Sequence, residues 1–124
     1  MGKFRFRKEE RLTRKKTIEE LFEKGMSFSV FPLKIIFTTF QPDSPSLHQV
    51  LITVPSRTFA KAADRNMLKR RIREGYRLHK EHLPTSPTFR LAYIYIAKEI
   101  LPSQTIHQSI LSSLQRLNKY EKKN

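Results

Sequence analysis

The chain has 124 residues, with 25 Lys+Arg against 11 Asp+Glu, no cysteine and a formal net charge of +14. That length allows one domain with a modest core; the missing cysteines exclude disulfides and thiolate metal sites, and no apolar run nears the roughly 20 residues of a membrane span. The charge is localised: residues 1–16 hold 8 basic side chains, 57–80 hold 9 and 115–124 hold 4, whereas the other 74 residues hold 4 basic and 6 acidic ones. A cationic excess gathered into segments marks a surface for a polyanion, with nucleic acid ahead of an anionic membrane or an acidic protein.

In chain order, residues 1–10 read as a flexible basic arm, 11–120 as a single domain and 121–124 as a basic tail. The arm lacks the apolar stretch of a secretory signal, and Glu9 and Glu10 argue against a transit peptide, so a cytoplasmic setting is expected. Thr13 is the expected N-cap of a first helix with Ile18, Leu21 and Phe22 as its apolar face and Gly25 as its stop. Strands are predicted over 33–40 and 48–54, antiparallel neighbours across the turn-rich 41–46, with an extra short strand at 27–31. A helix is predicted over 61–80. A strand over 89–97, apolar on both faces and therefore central, follows the Pro84–Pro87 loop. Ser103 is expected to cap a last helix whose core stripe is Ile106, Ile110, Leu114 and Leu117.

The helix over 61–80 carries the chemistry. At 100° per residue Asn66, Lys69, Arg70, Arg73 and Arg77 share one stripe about 100° wide, with Leu68 and Ile72 on the far side. An ordinary solvated face mixes Glu with Lys to gain i,i+4 pairs; here Lys69 neighbours Arg73, and Arg73 neighbours Arg77, so like charges repel by a few tenths of a kcal/mol each. Cations on a rigid rod at phosphate-like separations suit RNA. Asn66 within that stripe is either a surface amide or a group that fixes an arginine or reaches a 2′-OH.

The lead-in and helix together, Ser56-Arg57-Thr58-Phe59-Ala60-Lys61 through Arg65-Asn66, Lys69-Arg70 and Arg73-Glu74, resemble the signature of the bacterial ribonuclease P protein component. The likeness extends over roughly residues 11–117, through Arg11-Leu12, the helix ending Leu21-Phe22-Glu23-Lys24-Gly25, and the strand order. It implies an α+β fold, a two-layer α/β sandwich in α-β-β-β-α-β-α order with a central, mostly antiparallel sheet and a left-handed β-α-β crossover. It also implies a small protein partner of a catalytic RNA, the two together removing the 5′ leader of precursor tRNA with Mg²⁺ held mainly by the RNA. By the same resemblance Arg57, Lys61, Arg65, Asn66, Lys69, Arg70, Arg73 and Arg77 are RNA-binding, and Ile18, Phe22, Lys34 and Ile36 line a leader cleft. No membrane and no obligate protein partner are implied. Two departures stand out. Ile18 replaces an aromatic, and base stacking on an aromatic is worth about 1–3 kcal/mol per base. The lead-in Arg57-Thr58-Phe59-Ala60 lacks a second cation and a glycine.

The residues do not read as a catalyst on their own. Two-metal hydrolysis needs clustered carboxylates, whereas Glu19, Glu20 and Glu23 form a helix-surface pattern. His79 and His82 at i, i+3 lack a further ligand, so no catalytic and no metal residue is assigned. Phe22 is open between core packing against Leu114 or the sheet and a nucleotide contact, while Tyr93 and Tyr95 read as core with hydroxyls reaching the rim. A small ribosomal or ribosome-assembly protein is the alternative; it accounts for charge and size but not for the Arg-Asn, Lys-Arg and Arg-Glu offsets.

Overall fold

The computed structural model describes residues 6–43 and 46–123, and only the backbone of 121–123. The elements run α1 (Lys15–Lys24), β1 (Met26–Val30), β2 (Leu33–Phe40), β3 (Gln49–Thr53), α2 (Ala62–His79), β4 (Thr88–Tyr95) and α3 (Ser103–Lys123). This is the α-β-β-β-α-β-α order expected, including the short strand before β2.

The four strands form one sheet in the order β1-β2-β4-β3; β1–β2 and β2–β4 are antiparallel and β3–β4 is parallel. The expectation that residues 48–54 pair with 33–40 is therefore corrected, because β4 lies between them. The physical reason is burial. Phe89, Leu91, Tyr93 and Tyr95 on one face of β4 and Ala92 on the other are fully buried, so β4 gains most from a partner on each side, and the partly exposed β3 takes an edge. Residues 11–12 cover part of that edge: Arg11 bridges Val50, and the Leu12 N–H donates to the Val50 carbonyl at 2.9 Å.

The two faces of the sheet are filled differently. On one face α2 and α3 bury the main core, including Leu33, Ile35, Phe37, Leu91, Tyr93, Ile72, Ile110 and Leu114. At full burial an aliphatic side chain of this kind contributes about 1.5–3 kcal/mol. The helices approach closely at Gly75, where a Cβ would lie 2.6 Å from Ile110 Cδ1. On the other face only α1 packs, over the smaller cluster of Leu12, Leu21, Ile36 and Ala92. Gly25 ends α1, and its N–H donates to the Leu21 carbonyl at 2.8 Å. A Cβ there would meet Leu21 O at 2.4 Å and Ile36 Cγ2 at 2.6 Å, so the residue is needed for close approach.

Several local expectations change. Arg14, not Thr13, occupies the N-cap of α1, without a side-chain cap. Ser103 is the first helical residue of α3, and the Pro102 carbonyl accepts from the Ile106 N–H at 3.2 Å. The Tyr93 hydroxyl does not reach the rim; it donates to Ser113 Oγ at 2.9 Å, because Ser113 itself donates to the Ile110 carbonyl. The Tyr95 hydroxyl donates to the Glu99 carbonyl at 2.6 Å and accepts from the Leu101 N–H at 3.0 Å, which fixes the approach to α3.

Within residues 6–10, expected in the flexible arm, Phe6 and Glu10 are packed while Arg7, Lys8 and Glu9 stay exposed. Phe6 meets Tyr76 edge to face at 5.8 Å, and Lys8–Glu10 form a single 3₁₀ turn. The Glu10 carboxylate, 3% exposed, accepts from Lys80 Nζ at 2.9 and 3.0 Å and from the Arg7 N–H at 2.7 Å. The expected basic tail continues α3 through residue 123, while residues 1–5 of the arm and residue 124 lie outside the described residues.

Candidate nucleic-acid interface

Helix α2 buries Leu68, Ile72, Gly75 and Tyr76, which leaves the opposite face to the cations. Asn66 and Arg70 are exposed, and Lys69, Arg73 and Arg77 are partly so. Ala63, Asn66, Met67, Arg70 and Arg73 line a shallow depression of about 440 Å³. Arg57 and Lys61 are exposed ahead of α2, with Lys61 at the N-cap, where the unpaired N–H groups and the helix dipole favour an anion.

Three arginines carry additional duties. Arg65 Nη1 donates to the Phe59 and Ala60 carbonyls, each at 2.8 Å, which holds the lead-in loop where glycine is lacking. Arg71 points away from the stripe and donates to the Leu101 carbonyl at 2.7 Å, while His107 Nε2–H donates to the Arg71 carbonyl at 3.0 Å. These bonds fasten α2 to α3. Arg77 is ion-paired with Glu74, and that hydrogen bond holds the Glu74 carboxyl below the usual carboxylate range. The expected like-charge repulsion is therefore relieved at the C-terminal end of the stripe and persists among Lys69, Arg70 and Arg73.

A second surface lies on the α1 face of the sheet. Arg11, Arg14, Thr17, Gln49 and Arg90 line a groove of about 520 Å³, and Gln49 and Arg90 continue into one of about 490 Å³ beside Phe40 and Leu47. A narrower channel flanked by Arg11, Leu51, Lys69 and Arg73 joins this region to α2. Arg90 crosses the floor with its guanidinium 4.0 Å from the Phe40 ring centroid, and its Nε is buried without a hydrogen-bond partner among the described residues. Arg14 and Arg90 were not singled out in the sequence, and Arg11 entered only through the family likeness. The available signal for Arg90 was a lone cation inside an otherwise apolar strand.

The expected cleft residues divide. Phe22 is 44% exposed and does not join the core. Lys34 is exposed on β2, opposite Ile94 of β4 in the register. Ile18 is partly buried against the smaller cluster. Ile36 is buried beneath Gly25, so it supports the wall without offering a surface. The His79 and His82 rings stand 6.2 Å apart, and among the described residues no three His, Asp or Glu side chains are placed to hold a metal ion. No described helix is long and apolar enough to cross a membrane.

The family model for ribonuclease P matches residues 6–119, covering both surfaces. The chain belongs to the ribonuclease P protein family. It is 29% identical to the ribonuclease P protein component of Porphyromonas gingivalis strain ATCC 33277 over 119 residues, covering 92% of this chain and 87% of that protein. It is 34% identical to the corresponding component of Petrotoga mobilis over 84 residues, 68% of each chain. The structure resembles the RNase P protein from Thermotoga maritima with a TM-score of 0.71 at 28% identity, covering 86% of this chain and 96% of that one. Membership in the ribonuclease P family places the chain in tRNA processing, as an RNA-binding participant in an endoribonuclease.

Proposed function

We propose that this chain is the cytoplasmic protein subunit of ribonuclease P: α2 and its lead-in bind the catalytic RNA, and the groove beside α1 receives the 5′ leader of precursor tRNA. The observation carrying this reading is the pairing of two cationic surfaces of different shape. One is a convex helix face, which meets packed phosphates of folded RNA; the other is a recessed channel with arginine and exposed aromatic or apolar walls, which fits a single strand.

The division of labour follows from charge and shape. Lys69, Arg70 and Arg73 neutralise closely spaced phosphates, so the RNA compacts at lower bulk Mg²⁺. Mg²⁺, held mainly by the RNA, supplies the chemistry of phosphodiester hydrolysis. Arg11, Arg14 and Arg90 follow the leader backbone while Phe22 offers a ring to an unstacked base. Mature tRNA has no leader and forgoes the groove, so precursor is preferred over product.

The test is precursor-tRNA cleavage by the cognate catalytic RNA at limiting Mg²⁺, with and without the protein. The protein should lower the Mg²⁺ required and do so most for substrates that carry a leader. Cleavage by the polypeptide alone, or a ribozyme indifferent to it in dilute Mg²⁺, would contradict the proposal.

A further inference from the structure

The described part of the basic C-terminal segment, residues 115–120, belongs to neither surface described above. It lies near the end of α3, on the face of the sheet opposite α1, where α3 packs against β1 and β2 as well as α2. There Met26, Phe28, Arg116, Lys119 and Tyr120 line a groove of about 310 Å³, at the small end of ligand clefts. The Arg116 guanidinium lies 4.4 Å from the Phe28 ring centroid, and the Tyr120 ring stands edge-on to Phe37 at 5.3 Å. The Tyr120 hydroxyl donates to Met26 Sδ at 3.1 Å. A guanidinium backed by an aromatic ring presents a flat cationic face, on which a nucleobase stacks, and the neighbouring Lys119 supplies charge for the adjoining phosphate.

The chain itself links the groove to the α1 face. Phe22, 44% exposed, and Met26, 52% exposed, stand on either side of Gly25, where α1 turns into β1. In the sheet order β1 has only β2 as a strand neighbour, so its outer edge lies at the side of the molecule. A strand passing Phe22 toward that edge would meet Met26, which lines the rim of the groove.

We infer that the β1–α3 groove is a second, distal site for the 5′ leader of precursor tRNA, taking an unpaired nucleotide between Arg116–Phe28 and Tyr120 with its phosphate on Lys119. The inference rests on the leader reading of the α1 groove, and the experiment separates the two. The holoenzyme is reconstituted with its catalytic RNA and with precursor tRNAs carrying leaders of roughly 4 or roughly 16 nucleotides, the range of single-strand footprints on small domains. The double variant Arg116→Glu/Lys119→Glu should bind the long-leader precursor about 10-fold or more weakly and the short-leader precursor unchanged. Its salt dependence on the long leader should become shallower by about 0.7, the share of the one single-strand phosphate contact assigned to Lys119. Phe22→Ala should weaken both substrates. Unchanged long-leader binding in the double variant would overturn the distal site. Equal weakening with both leaders, or weaker assembly with the catalytic RNA alone, would overturn it in favour of that RNA. If Phe22→Ala had no leader-dependent effect while the double variant behaved as expected, the α1 reading would fail and not this one.

Discussion

One face of the sheet is closed by two helices over a continuous apolar core, and the other by a single ten-residue helix over a cluster of four buried side chains. The same strands serve both, so the contrast arises from what is laid on them. The α2–α3 side is packed as a folding core, with Tyr93 hydrogen-bonded in its interior. The α1 side covers Ala92 of β4 but leaves Gln49 of β3 and Arg90 of β4 lining a channel. Stability resides mainly on the first face, and the second is left under-covered where a ligand can lie. The cations of α2 connect them, because the helix that closes the core turns its outer side to solvent.

The largest effect should come from cutting into the closed face. Ile110→Ala removes a fully buried side chain and should cost about 2–5 kcal/mol, read as a lower urea midpoint. Next is Gly25→Ala. Its Cβ would strike the Leu21 carbonyl, so about 1–3 kcal/mol of overpacking is expected, with a loss of leader affinity as α1 shifts. If stability fell with no change in leader binding, the coupling of α1 position to the channel would be wrong. Phe22→Ala should reverse that pattern, changing stability by no more than about 0.5 kcal/mol while weakening leader-bearing substrates by about 1–3 kcal/mol. Arg70→Ala should leave the leader preference intact, raise the Mg²⁺ needed by the reconstituted enzyme, and reduce the salt slope of binding to the catalytic RNA by about 1.

The smallest effect is a pH dependence at the sheet's margin. His48 Nδ1 accepts from the Phe89 N–H at 2.9 Å, so the proton sits on Nε2, which donates to the Pro84 carbonyl at 2.8 Å. Burial holds this imidazole below its usual 6.5. Between that lowered value and 6.5 the unfolded chain binds the extra proton, so His48 stabilises the fold above 6.5 and loses its contribution as the pH falls below it. His48→Gln should flatten part of the stability slope below pH 6.5, leaving the share of His79, whose pKa is also lowered by desolvation. An unaltered slope would show that His48 is not excluded from protonation.

Much of this was legible in the sequence because it was periodic. The stripe on α2, the core positions Ile106, Ile110, Leu114 and Leu117, and the short strand before β2 all follow from local spacing. Strand order did not, since adjacency along the chain favoured placing β3 beside β2, and only burial on both sides of β4 puts that strand between them. The channel proposed for the leader was half visible. Helical spacing brought out Phe22, whereas Arg11, Arg14 and Arg90 converge from a turn, a helix start and a strand that no local pattern joins. Ile36 illustrates the opposite failure: a side chain can occupy the right strand and still lie under the helix. The arm misled for a related reason. Composition marks residues 6–10 as solvated, but Glu10 finds Lys80 seventy residues away, a contact invisible to any window.

That long-range pair has a mechanical consequence. Glu10 fastens the lip of the channel to the C-terminal end of α2, while Arg71 and His107 fasten the middle of α2 to α3 and its approach. With the helix braced at both places, any partner seated on its cationic face meets the channel at a set offset, as the fixed jaw of a caliper sets the measured gap. Spacing between the two surfaces is thereby written into side-chain contacts far from either.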